Sequence, residues 1–256
     1  MGSASREALA NVAKLLESPT QAAGSELLEI ATQLSSEQQL AKTLSDVDAS
    51  AEAKTALINR VYANTGERAR NLLVAAATQR WSNTDEFIEG VAEIGIRSIA
   101  AAGINVDEEL LSVAGAVDKS HDLELNLGNK LASASTKRAA VKSLFGSRVS
   151  PGTLSIVEYL VANPVGRLSP ALRKAARTAA NQRGFELAHV TTAAPLSAAQ
   201  AERLSEALAR IAGSSVKLST VIDKTLVGGI RVQIADEIID GSVSSRLDDL
   251  RLQLAR

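Results

Sequence analysis

Two histidines, His121 and His189, are the natural first candidates for proton transfer or metal ligation in this 256-residue chain, since imidazole titrates near neutrality. His121 opens a polar helical stretch and His189 lies in an expected strand, so each is read as a structural or surface residue. Adjacent carboxylates occur at Asp107-Glu108-Glu109 and Asp248-Asp249. Paired carboxylates can serve as acid and base, but these sit where a helix begins or on a solvated helical face, where negative charge has an electrostatic reason of its own. Cysteine is absent, which removes disulfides, thiolate metal sites and cysteine nucleophiles together and agrees with a reducing cytoplasm. No HExxH, CxxC or GxSxG pattern occurs. Gly228-Gly229 lacks the Lys-Ser/Thr that closes a phosphate loop and the strand-loop-helix order around it. The expectation is therefore no catalytic residue, no cofactor and no metal.

What the chain does have is segregated charge. Residues 1–129 carry 10 basic and 19 acidic groups, residues 130–184 carry 10 basic and 1 acidic, and the rest is balanced, for a net charge of −1. Local fields of that kind orient docking between charged surfaces, or hold the two halves of one fold together. Nucleic acid is a poor partner for the basic segment, which has almost no aromatics to stack on bases and no reader motif. The N-terminus lacks the apolar core of a signal peptide and the Ser or Thr of a myristoylation site, and no run approaches the ~18 apolar residues of a membrane span.

These residues must be positioned mostly by helices. The hydrophobic share is 45% but only 2% is aromatic, so Ala and Leu, the strongest helix formers, carry the core. "SASREALANVAKLLES" places Ala8, Leu9 and Val12 on one stripe; a second pattern runs from Gln21 to Leu44 with a break at Ser35-Ser36; Ser50 caps "AEAKTALINRVY". "GERARNLLVAAATQRW" and "TDEFIEGVAEIGIRSIAAAG" follow, the latter closing at Gly103, which gives about six helices by residue 102. Sliding the chain by 83 positions lays residues 26–62 over 109–145 with 11 identities in 37 pairs, among them Leu27 with Leu110, Ser50 with Ser133 and Lys54 with Lys137. Composition alone gives roughly 3 or 4, so residues 105–184 read as a duplicated helical segment. Ser150-Pro151 and Ser169-Pro170 each read as an N-cap followed by proline at the first helical position.

Beyond Gly184 the period changes. "FELAHVTTA" reads as a strand, "SAAQAERLSEALARIAG" as a helix opened by a Ser197–Gln200 capping box, and "SVKLSTVID" as a strand with Val216, Leu218, Thr220 and Ile222 on one face. Ile230, Val232 and Ile234 alternate in the next strand. A turn at Ala235-Asp236 leads into "EII", and Asp240-Gly241 into a final helix with Val243, Leu247, Leu250 and Leu254 inward. The expected architecture is mainly α with a small α+β C-terminal domain: a six-helix bundle over 1–104, the duplicated segment over 105–184, and a short sheet packed with helices over 185–256.

"VIDKTLVGGIRVQIADEIIDGSVSSRLDDL" (221–250) closely resembles the signature of the delta subunit of bacterial F-type ATP synthase, the family of the mitochondrial oligomycin-sensitivity-conferring protein. The matching elements are Asp223, Leu226, Gly228-Gly229, Asp236, Ile238-Ile239-Asp240-Gly241-Ser242 and Arg246-Leu247. The stretch 191–208 and the Ser-Arg-Glu-Ala-Leu opening are similar to the family's preceding strand and helix and to its N-terminal bundle. Two departures stand out: the second helical copy, a long-form feature similar to that of actinobacterial members, and Ala235 where the family generally has glycine. The resemblance implies a non-catalytic stator subunit on the cytoplasmic face of the cell membrane, linking the alpha/beta catalytic head to the membrane-anchored b subunit so that proton flow is coupled to ATP synthesis. It implies an amphipathic alpha-subunit helix against the first and fifth helices, at positions matching Ala8, Leu9, Val12, Leu72, Leu73 and Ala76. It also implies structural roles for Asp223, Gly228, Gly229, Asp236, Asp240, Gly241, Ser242 and Arg246. The rival reading is a helical adaptor unrelated to ATP synthase.

Overall fold

A computed structural model describes the chain except for residues 17–18, 104, 129–131, 224–225, 227, 235–236 and 242–256. It forms two compact units, Met1–Gln182 and Arg183–Arg256. The first holds eleven of the twelve helices found among the described residues: α1 (Ser3–Ala13), α2 (Gln21–Ser36), α3 (Gln38–Ser45), α4 (Ala51–Val61), α5 (Glu67–Ala77), α6 (Thr84–Ala102), α7 (Val106–Asp118), α8 (His121–Gly128), α9 (Ala134–Phe145), α10 (Pro151–Ala162) and α11 (Leu168–Gln182).

Local chemistry sets most boundaries. Thr20, Ser50, Asn83, Ser133 and Ser150 each accept a backbone N–H of their helix's first turn through the side chain, removing one unsatisfied donor. The break expected at Ser35-Ser36 falls at Glu37, between α2 and α3. α11 starts at Leu168, before the expected Ser169 cap: the Leu168 N–H donates to Glu124 Oε1 at 2.8 Å, so a carboxylate from α8 caps the helix and Ser169 is buried within it. Gly103 ends α6 with an extended backbone rather than a left-handed one. Its value is its size, since a Cβ there would come within 2.8 Å of Val106 Cγ2 and 3.0 Å of the Ile99 carbonyl.

α2 packs along α6, and α7 packs along α11 in the same way. The α2–α6 seam is close because Gly24 and Gly95 face each other; a Cβ on Gly24 would lie 2.6 Å from the Gly95 carbonyl oxygen. The two helical stretches share buried polar devices as well. Lys54 and Lys137, each only 5% exposed, send Nζ to a carbonyl at the C-terminal end of the following helix: Ala77 O at 2.8 Å on α5 and Val161 O at 3.5 Å on α10. A cation at a helix C-terminus meets orphan carbonyls and the negative end of the dipole. Burial holds the Lys54 ammonium pKa below its usual value, with Asp46 opposing. Glu26 and Glu109 likewise accept the backbone N–H at the cap residues of α5 and α10, Gly66 at 3.2 Å and Ser150 at 3.0 Å.

The second unit contains β1 (Phe185–Thr192), α12 (Ala198–Ala212), β2 (Ser215–Ile222), β3 (Ile230–Ile234) and β4 (Glu237–Asp240) in a sheet of order β2-β1-β3-β4. β1 and β2 are parallel, joined through α12; β1–β3 and β3–β4 are antiparallel. Both hydrogen bonds of the Ser197–Gln200 capping box are present at the start of α12. Ala188, Val190, Leu208, Val216, Val232 and Ile234 form the core, with Leu218 and Ile230 partly buried beside them. Thr220 and Ile222 are exposed, at the end of an edge strand. The expected Ala235-Asp236 turn and the final helix with Val243, Leu247, Leu250 and Leu254 lie outside the described residues.

Candidate docking surfaces

In the first unit, α1 packs against α5 and α6. The six positions expected to receive a partner helix, Ala8, Leu9, Val12, Leu72, Leu73 and Ala76, are between 0 and 8% exposed. Their side chains lie inside the bundle, on the inward stripes of α1 and α5. Polar contacts hold α1 in place: the Gly2 N–H donates to the Glu86 carboxylate at 2.9 Å, and the Ser82 N–H to Ser5 Oγ at 2.9 Å. The Ser5 hydroxyl foremost, then the Gly2 N–H, favour the charged form of Glu86 and hold its carboxyl below its ordinary pKa.

An open groove of about 270 Å³ lies elsewhere on this unit, between α6, α10 and α11. It is lined by Ala92, Glu93 and Ile96 of α6, Tyr159 and Leu160 of α10, and Ala171, Lys174 and Ala175 of α11, and Met1 also borders it. Glu93 is held by Arg97 at 2.7 Å. Glu89 of α6 and Lys174 of α11 also line it; both are exposed and form no ion pair with a described residue. Burial pushes the Tyr159 phenol up to about 12, with the Glu89 charge adding to the effect. The shape is apolar with polar margins, which suits an amphipathic helix. None of these residues stands out by type in the sequence.

In the second unit the signature residues shape the backbone. The Asp223 N–H donates to Thr192 O at 2.8 Å, extending the β1–β2 pairing by one step. Gly229 has φ +84, a left-handed conformation that favours glycine, at the entry to β3. Gly228 precedes it in the same bend. Asp240 ends β4, and its carboxylate accepts from Arg231 at 2.8 and 3.0 Å across the β3–β4 register. This cross-strand ion pair was not foreseen from the sequence. The Gly241 N–H donates to Ile230 O at 2.9 Å. Asp236, Ser242 and Arg246 lie outside the described residues.

No group of three or more His, Asp or Glu residues is gathered for metal binding among the described residues, and no helix among them is long and apolar enough to cross a membrane. Among the described residues the first unit is a helical scaffold with a groove and the second a small sheet with a helix. The profile of the ATP synthase delta (OSCP) subunit family matches residues 99–254. ATP synthase subunit delta of Leifsonia xyli subsp. xyli is 43% identical over 263 residues, covering all of both chains. That of Streptomyces avermitilis is 32% identical over 267 residues, covering 98% of each. A chain in the cryo-EM structure of the Toxoplasma gondii mitochondrial ATP synthase hexamer is 24% identical with a TM-score of 0.42, covering 64% of this chain and 95% of its own, a likeness too slight to argue from.

The chain belongs to the ATP synthase delta (OSCP) family. It is a non-catalytic stator subunit of ATP synthase that binds other subunits of the complex, and the unrelated-adaptor reading falls away.

Proposed function

We propose that this subunit joins the catalytic head to the peripheral stalk at the cytoplasmic face of the cell membrane, held there through the complex and not by insertion. Its helical part, the bundle of 1–104 with the duplicated segment of 105–184, receives the N-terminal helix of an alpha subunit and bears on the alpha/beta ring; the region 185–256 binds the b subunit. Asp223, Gly228, Gly229, Asp236, Asp240, Gly241, Ser242 and Arg246 act by shaping that region, and Ala8, Leu9, Val12, Leu72, Leu73 and Ala76 by fixing the seam between α1 and α5. The observation that carries the reading is the apolar groove of α6, α10 and α11, lined also by the charged Glu89 and Lys174. A stator joint bears torque, so the groove must be one part of a contact exceeding ~1,000 Å². Truncation at residue 214 separates the two attachments: the shortened chain should still bind the alpha/beta head and lose the b subunit in a pull-down. Retention of the b subunit would refute the assignment of 185–256.

A further inference from the structure

The internal repeat sets a second cation close in sequence to the carbonyl that receives one of its two buried lysines, and not to the other. Lys54 and Lys137 are each 5% exposed, and their acceptors, Ala77 O and Val161 O, lie 84 residues apart. At that offset Arg80, three residues past the first acceptor, corresponds to Pro164, three past the second. The following residue differs as well: Trp81 is 4% exposed and Val165 81%. Trp81 donates Nε1–H to Ala76 O at 2.8 Å, which pins the turn that leaves α5 and carries Arg80.

An open cleft of about 220 Å³ lies at this turn. It is lined by Ala49, Ala51 and Lys54 around the start of α4 and by Thr78, Gln79 and Arg80 just past the end of α5, and no carboxylate stands among the described residues that line it. Both cations are under-compensated. An ammonium has three N–H donors, and that of Lys54 gives one to Ala77 O at 2.8 Å and none to any other described residue. Asp46 acts on it electrostatically without forming an ion pair. A buried charge is costly unless a partner repays its desolvation. Arg80 is exposed and forms no hydrogen bond or ion pair with a described residue. Gln79 accepts from Asn11 through Oε1, which leaves its Nε2 donors without a described partner.

We propose that this cleft binds a small oxyanion of the phosphate class, held by the Lys54 ammonium and the Arg80 guanidinium with the Gln79 amide beside them. Two unit cations match a dianion better than a single carboxylate; lysine supplies a point charge and arginine a fork of donors suited to phosphate oxygens. The positive end of the α4 dipole, at Ala51, adds to the same field. A cavity of ~150 Å³ holds a benzene ring, so a phosphate, with fewer heavy atoms, fits the 220 Å³ here. An ion seated there ties the start of α4 to the turn after α5. The second copy, with Pro164 for Arg80, lacks the second cation and hence the site. The proposal is independent of which subunits the chain contacts.

The test titrates the full-length chain with inorganic phosphate at constant ionic strength, set with sodium chloride, and follows the backbone amides of residues 49–52 and 78–81 by proton–nitrogen correlation spectra. These amides should shift saturably with one dissociation constant, millimolar or tighter. Arg80→Gln, a change at an exposed side chain, should weaken binding at least tenfold, as should Lys54→Met where circular dichroism shows that variant folded. Arg60→Gln, at an exposed arginine of α4, should leave the affinity unchanged. Shifts that never saturate, wild-type affinity in Arg80→Gln, an equal loss in Arg60→Gln, or equal shifts with acetate at the same ionic strength would each overturn the proposal.

Discussion

Trp81→Ala probes the asymmetry between the helical copies most directly. The side chain is 4% exposed, rests on Gly90 and Phe87, and donates to the Ala76 carbonyl. That carbonyl keeps a second donor, the Gln79 N–H at 3.2 Å, so truncation does not orphan it. The cost is then chiefly lost burial and the cavity left behind, about 3 to 5 kcal/mol for a tryptophan in a core. In a unit of this size each kcal/mol moves the melting temperature by roughly 2 to 4 °C, so Tm should fall by roughly 6 to 20 °C. Val165→Ala, at the equivalent exposed position, should change stability by less than ~0.5 kcal/mol. Thermal melts followed by far-ultraviolet circular dichroism give both numbers. A Trp81→Ala shift under ~2 °C, or equal shifts for the two variants, would refute the reasoning.

Two further perturbations follow from the same contacts. The Tyr159 phenol is raised from its ordinary value of 10 to about 12, so the unfolded chain releases this proton first as pH rises. Its contribution is fully present below pH 10 and is lost as pH climbs through about 12, by roughly 2 to 3 kcal/mol. Tyr159→Phe should therefore flatten the alkaline decline in urea-unfolding stability; an unchanged slope would show that the phenol does not sense burial. Gly241→Val places a branched side chain where an added Cβ would lie 3.3 Å from Ile230 O, the carbonyl to which the Gly241 N–H donates. Crowding of that kind costs about 1 to 3 kcal/mol, and the C-terminal unit should melt earlier and bind the b subunit less well. Unchanged melting and binding would contradict the structural role of this glycine.

Most of the fold was legible because local signals were strong and unopposed. Caps at Ser50, Ser150 and Ser197 and the small-residue composition fix helices with little tertiary help, and the six helices by residue 102 are α1–α6. The misplacements occur where a distant group supplies the cap: Glu124 starts α11 early, and no local pattern announces a carboxylate from another helix. The docking residues were harder. An apolar stripe such as Ala8, Leu9 and Val12 is the signature of both a core and a groove, and only packing decides; here it is inward. The open groove arises from what two helical copies do not share, large side chains at Trp81 and Phe87 against Val165 and Ala171, a difference visible only once the repeat is aligned through its last helix. The Arg231–Asp240 pair likewise depends on strand register, which composition does not report.

This subunit carries load without performing chemistry, and depletion followed by reconstitution tests that directly. Membrane vesicles bearing the organism's ATP synthase, stripped of this subunit, should still hydrolyse ATP at the catalytic head but fail to build a proton gradient from it, and adding back the purified chain should restore pumping. Full ATP-driven proton pumping in its absence would contradict the account.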